Sequence, residues 1–128
     1  GITMEFIINN KQSEQEEIEW QNWYEGDEYS ISCTRISFNE ERKVFYLINE
    51  NDNVGTSVYA TNPENSKYPK ALPHGVRLVN ALCRLFKKDD GKITATSVLE
   101  AVDTHLKDND AITISVSKTD KGVLWQAN

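Results

Sequence analysis

The stretch Leu72–Leu106, LPHGVRLVNALCRLFKKDDGKITATSVLEAVDTHL, decides the fold, because it reads as two amphipathic helices joined by a short charged turn. In its first half Leu78, Val79, Leu82, Leu85 and Phe86 recur at i, i+1, i+4, i+7 and i+8. Arg77, Asn80, Arg84, Lys87 and Lys88 fall outside that stripe. The spacing predicts a helix running from about His74 to about Asp89. Pro73 stands at the end where a missing N–H costs nothing, Lys87 and Lys88 at the end where the dipole favours cations, and Gly91 is free to turn left-handed. In the second half Thr94 is placed to cap a helix, or Ser97 with Glu100 to form a capping box if it begins one turn later, and the stripe is Val98, Leu99, Val102, His105 and Leu106. Neither helix is polar enough all round to stand alone, so each needs a sheet or another helix over its apolar face.

A chain of 128 residues is long enough to bury a core without disulfides or metal, and Gly1-Ile2-Thr3 ahead of Met4 reads as a cloning remnant. Residues 4–128 are therefore expected to form one domain, with a polar acidic segment at 9–19 that has no period and reads as a mobile link. Two cysteines make no secreted disulfide framework, and Cys83 falls on an interior helix position, so a reduced, cytoplasmic setting is expected. The sequence has no apolar run of membrane-spanning length and no signal-peptide pattern. A net charge of −6 argues against nucleic acid and points instead to a protein partner.

Outward from the helices, Met4–Ile8 reads as a short strand. From Asp27 onward Tyr29, Ile31 and Cys33 alternate with small polar residues, after which Ile36 and Phe38 take the opposite parity. A bulge or strand end near Arg35 accounts for the flip. Asn39–Arg42 is a polar turn. Val44–Ile48, VFYLI, is too short and too rich in β-formers for a helix, and is expected to be a central strand with helices on both faces. Val54–Ala60 reads as a weak strand, and Thr61–Pro73, which holds all three prolines, as a surface loop. Ala111–Ser117 and Val123–Trp125 form a C-terminal β-hairpin. The fold class expected is thus α/β or α+β, a small mixed sheet packed against two main helices.

The chemistry-bearing residue types fall into no familiar constellation. Cys83 sits inside an amphipathic stripe with no histidine about 50 residues ahead of it, and Cys33 with His74 or His105 is a pairing that only distance in the fold could support, a histidine on an apolar helix face being more often packed than a base. With Gly91 at the sixth position of a calcium loop, positions one, three and twelve would be Phe86, Lys88 and Ser97, none a carboxylate. Zinc spacings and phosphate-cradling glycine loops are missing too, so no catalytic residue, metal or cofactor is expected. What stands out is a group of large rings, Trp20, Trp23 and Tyr24, beside a run of glutamates, with Tyr59 as a further partner-facing candidate. Trp20, Trp23 and Tyr24 read either as a cover for one edge of the core or as a docking surface.

The order strand, loop, helix, link, helix, strand resembles the small subunit of a caspase. Val44–Ile48 stands for that family's apolar strand, and Gly75–Phe86, GVRLVNALCRLF, is similar to its first helix, including the Leu82-Cys83 pair. Val98–Val102 looks like the second helix and Ile112–Val116 like the last strand. The family's catalytic histidine and cysteine belong to a large subunit with no counterpart here, and Ser57–Asn62 lacks the substrate-binding arginine. The resemblance therefore implies a non-catalytic regulatory domain that occupies the subunit interface of a caspase-like protease chain. Ile112, Ile114 and Val116 would pair along a strand edge, and the C-terminal strand would offer a route to a homodimer. The alternative, from the charge and the rings, is an acidic inhibitor or immunity protein that covers the active site of a basic toxin or nuclease.

Overall fold

The computed structural model describes residues 17–89, 91 and 93–128. Among the described residues the order is β1 (Glu19–Gln21), β2 (Glu28–Cys33), β3 (Arg35–Asn39), β4 (Val44–Asn49) and β5 (Val54–Tyr59), then α1 (His74–Phe86), α2 (Ala95–Asp108), β6 (Ile112–Thr119) and β7 (Gly122–Ala127). The strand expected at 4–8 and most of the polar link lie outside the described residues, but Glu19, placed in that link, opens β1.

The fold is α+β, with a C-terminal hairpin as expected, but its strands form two sheets rather than one. A mixed four-stranded sheet has the order β1-β5-β4-β3, and an antiparallel three-stranded sheet the order β2-β6-β7. The division occurs where the parity of the sequence flips. At Thr34 the N–H donates to the carbonyl of Ile48 at 2.8 Å, and the hydroxyl accepts from the Glu50 N–H at 2.9 Å. That one residue ends the pairing of β2 with β6 and begins the pairing of β3 with β4. A single extended run thereby serves both sheets, and its apolar side chains must change parity to keep facing one core.

That core joins Ile31, Cys33, Ile112, Ile114, Val116 and Trp125 from the three-stranded sheet to Phe45, Leu47 and Val58 from the other, with Leu78, Leu82, Val98 and Val102 of the helices laid on top. β4 is central, between β3 and β5, as its apolar run predicts. The expectation of helices on both its faces is corrected, because both helices pack on the side of Phe45 and Leu47. On the other side the ring of Trp20 meets Tyr46 edge-on at 5.6 Å.

Two further corrections concern ends and edges. Helix α1 stops at Lys87, which takes the left-handed conformation itself at φ 56°, while the Lys88 N–H closes onto the Cys83 carbonyl at 2.9 Å, so Gly91 is not the terminator. The second helix begins as read, with Thr94 Oγ1 accepting from the Ser97 N–H at 3.1 Å. β6 is the middle strand of its sheet, paired on both sides, so it has no edge to offer a partner. On the edge strand β7 the outer carbonyls of Val123 and Trp125 accept from Arg77 at 3.3 Å and Arg84 at 3.1 Å, and pairing a second copy there would displace both arginines.

Helix α1 is seated by Gly75. A Cβ at this position would stand 2.7 Å from the Cα of Ala60 and 2.8 Å from the Tyr59 carbonyl oxygen, distances that backbone cannot yield to. Gly75→Ala is therefore expected to cost about 1–3 kcal/mol in urea unfolding through overpacking. A loss below about 0.5 kcal/mol would show that the helix can lift off β5 freely.

An aromatic cleft at the start of helix α1

Strand β1 runs parallel to β5 for three pairs and then turns away at Asn22. Its ring at Trp20 lies across Gly55, where an added Cβ would stand 3.0 Å from the indole, so the absence of a side chain there makes the room. Asn22 opens a tight turn: its amide donates to Glu25 Oε1 at 3.1 Å, the Glu25 N–H returns to the Asn22 carbonyl at 3.2 Å, and Gly26 takes φ 75°. The turn sends Trp23 inward and leaves Tyr24 outside. Trp23 Nε1 donates to the Ser57 carbonyl at 2.8 Å, occupying a main-chain acceptor just past the β5 residues that β1 pairs with.

The Trp23 ring is hemmed in on several sides. It meets His74 at 4.7 Å, Trp125 at 5.0 Å and Tyr24 at 5.8 Å between ring centres, and the Lys118 ammonium lies over it at 5.9 Å. That ammonium is buried and, among the described residues, has no hydrogen-bond partner, so the ring face is what offsets its desolvation. His74 is the first residue of α1, and its Nδ1 accepts from Trp125 Nε1 at 3.3 Å. Burial, then the nearby charges of Arg77 and Lys118, lower its pKa below the ordinary 6.5. Near neutral pH the imidazole is thus uncharged, with its proton on Nε2.

Together Trp23, Tyr24, Tyr59 and His74, with Asn22 and Asn62, line a cleft of about 390 Å³, within the span of roughly 300–1,000 Å³ usual for ligand clefts. Of the partner-facing candidates, the structure brings Trp23, Tyr24 and Tyr59 to this one place. Tyr24 is 60% exposed, Tyr59 49% and Trp20 54%, the last on the back of the four-stranded sheet, whereas Trp23 is core. Ile112, Ile114 and Val116 are corrected outright: all three are buried at 1% exposure or less and belong to the core face of a central strand. The sequence offers His74 only as a helix start or a distant partner for Cys33 and Asn62 only as part of a surface loop, and nothing local marks Asn22 as a site residue.

The charge along the sequence is uneven. Seven of the twenty acidic residues and none of the fourteen basic ones lie in Glu14–Glu28, so the rest of the chain carries thirteen acidic against fourteen basic residues. Virtually the whole net charge therefore sits on the stretch that bears Trp20 and Tyr24. As for nucleophiles, Cys33 is wholly buried, donates weakly to the Ile31 carbonyl at 3.8 Å, and has its thiol pushed up to about 12 by burial, which keeps it protonated and unreactive. Among the described residues no group of three or more His, Cys, Asp or Glu is placed to hold a metal ion, and no helix is long and apolar enough to cross a membrane.

No protein-family model, curated protein or solved structure matches the chain.

Two measurements check this geometry. Trp23→Ala is expected to cost about 3–5 kcal/mol, while Tyr24→Ala changes stability by no more than about 0.5 kcal/mol. Comparable losses for both would mean that Trp23 is not a core residue. Because the folded-state pKa of His74 is lowered, the unfolded chain takes up the proton first as the medium is acidified. The wild-type protein should then lose stability relative to His74→Gln as pH falls through 6.5 and on through the lower folded value, with no such relative loss above about pH 7.5. Urea midpoints of both proteins between about pH 8 and pH 5 would reveal it, and parallel curves would refute the assignment.

Proposed function

We propose that the chain is a non-catalytic protein-binding domain that docks a basic partner, in the manner of an acidic inhibitor or immunity protein covering the active site of a toxin or nuclease. The observation that carries this reading is the placement of the net charge: seven carboxylates within Glu14–Glu28, on the stretch that exposes Trp20 on the back of the four-stranded sheet and Tyr24 at the cleft with Tyr59. Carboxylates at that density attract a basic surface over a Debye length, and exposed rings supply the short-range contact area once the surfaces meet. The route by which Ile112–Val116 would pair with a caspase-type chain has no free edge in β6, so this reading rests on the aromatic and acidic surface instead. A reducing, cytoplasmic setting belongs to the same proposal, supported by two cysteines that are both buried.

The test is binding of the immobilised chain to a panel of small basic nucleases and toxins, with a caspase-type protease chain alongside. Affinity for a genuine partner is expected to fall about tenfold or more between roughly 50 and 500 mM salt, to fall further in Glu25→Lys with Glu28→Lys, and to drop in Tyr24→Ala at every salt concentration. Binding that ignores both salt and these substitutions, or that selects only the caspase-type chain, would overturn the proposal.

A further inference from the structure

Each sheet ends in two edge strands, and three of these four edges are closed by something the structure shows. The outer carbonyls of β7 are taken by Arg77 and Arg84, β1 is a strand of three residues, and α2 packs along β3. The fourth edge belongs to β2. Its hydrogen bonding is fixed at one end, where the Lys118 N–H donates to the Asp27 carbonyl at 2.8 Å. Every second residue along an antiparallel ladder exchanges bonds with its partner, so Tyr29, Ile31 and Cys33 bond to Val116, Ile114 and Ile112 of β6. The N–H and C=O groups of Glu28, Ser30 and Ser32 then point away from β6, and among the described residues they meet no backbone partner. All three residues are exposed. The strand carries no proline and no lysine to discourage pairing, and its one charged residue, Glu28, stands at its end.

We propose that two copies of the chain associate by antiparallel pairing of their β2 edges about a twofold axis, joining their three-stranded sheets into one continuous sheet. A twofold contact needs an edge that is complementary to its own reverse, and this one is. With Ser30 of one copy opposite Ser32 of the other, each such pair exchanges two N–H···O bonds. The same register brings Asp27 and Glu28, at the start of one strand, to Thr34 and Arg35 at the end of the other. Asp27 is exposed, and the Arg35 guanidinium lies 3.9 Å from Glu50 with both side chains more than half exposed, so it is within reach of solvent and of a neighbour. A strand from a basic partner matches this edge less well, because its cations would meet Arg35 at one end. Nor does the net charge forbid self-pairing. The two Asp27 residues stand about 26 Å apart along the paired strands at about 3.3 Å per residue, well beyond the screening length of about 8 Å at physiological salt. A single pair of short edges buries far less than the roughly 1,200 Å² of stable complexes, so the association is weak. It is independent of the docking of a basic partner, since Trp20, Tyr24 and Tyr59 all lie off β2.

The full chain is to be followed by sedimentation equilibrium and by amide hydrogen exchange between about 10 μM and about 1 mM, at about 150 mM salt. Dimer is expected in the upper part of that range. The Ser30 and Ser32 amides should exchange openly in dilute solution and slow about twofold or more as dimer fills, while Ile31, bonded to β6, stays protected throughout. Arg35→Asp and Asp27→Arg each set like charges against each other at both ends of the pair, and each is expected to weaken association about tenfold or more. An equimolar mixture of the two variants should restore it to within about threefold of wild type, because each end then sets an aspartate against an arginine. The wild-type exchange pattern decides by itself should either substitution disturb the fold. A chain that stays monomeric at about 1 mM would overturn the inference. So would Ser30 and Ser32 amides protected alike at every concentration, which would mean that the edge is closed within the single chain. A dimer indifferent to both substitutions, or a mixture that fails to restore it, would overturn the inference as well.

Discussion

Helix α1 can sit where it does only because residue 75 has no side chain. The backbone of Gly75 lies against the backbone of Ala60 at the end of β5, and this contact sets the height of the whole helix over the four-stranded sheet. Along the same helix Arg77 and Arg84 reach the outer carbonyls of β7 in the other sheet, so α1 bridges the two. One residue before the contact, His74 is carried over Trp125 and Trp23. Were the helix to rise by the width of a methyl group, the ring contacts that close the end of the core would loosen together, because packed interiors lose dispersion steeply with small gaps.

The second constraint is the bend at Thr34. Without it, the extended run from Glu28 to Asn39 would present Ile31 and Phe38 to opposite faces of a flat ribbon. With it, the strand crosses from one sheet to the other and both segments look inward. The outward face of the three-stranded sheet carries short hydroxyl side chains beside an exposed Leu124, with Ser30 near Ser115 at 3.5 Å and Ser32 near Thr113 at 3.3 Å. Cross-strand pairs of this kind help hold register on the wet side.

These particulars explain what could be read from the sequence and what could not. The two helices were legible because a 3.6-residue stripe is a local property, and the Thr94 cap and the parity flip near Arg35 were local for the same reason. The alternation of Ile112, Ile114 and Val116 correctly marks one face as buried. It is silent on whether the strand's edges are free, since alternation reports faces and strand order is decided by residues far away in the chain. The end of α1 misled because glycine is only the cheapest residue for a left-handed turn, and Lys87 accepts a cost of about 1–2 kcal/mol to close the helix earlier. The cleft was half visible. Trp23 and Tyr24 lie together in the sequence, but Tyr59 comes from the end of β5 and Asn62 and His74 from beyond it, so their meeting is decided by the fold.

The placement of charge and of rings divides the labour of recognition on the reading developed above. A stretch carrying seven carboxylates exerts its pull at a distance and with little regard to the shape of what it attracts, and salt weakens it. Exposed rings such as Tyr24 and Tyr59 act only at contact, where shape and the direction of each polar group decide what fits. The two are joined by the Asn22–Glu25 turn, in which the amide of Asn22, a residue of the cleft, holds the Glu25 carboxylate. Trp23 anchors that turn to the core through the Ser57 carbonyl, so the surface that meets a partner is held at the position the interior dictates. Such preorganisation lowers the ordering cost of binding, since the rings and acceptors need not be gathered when the partner arrives.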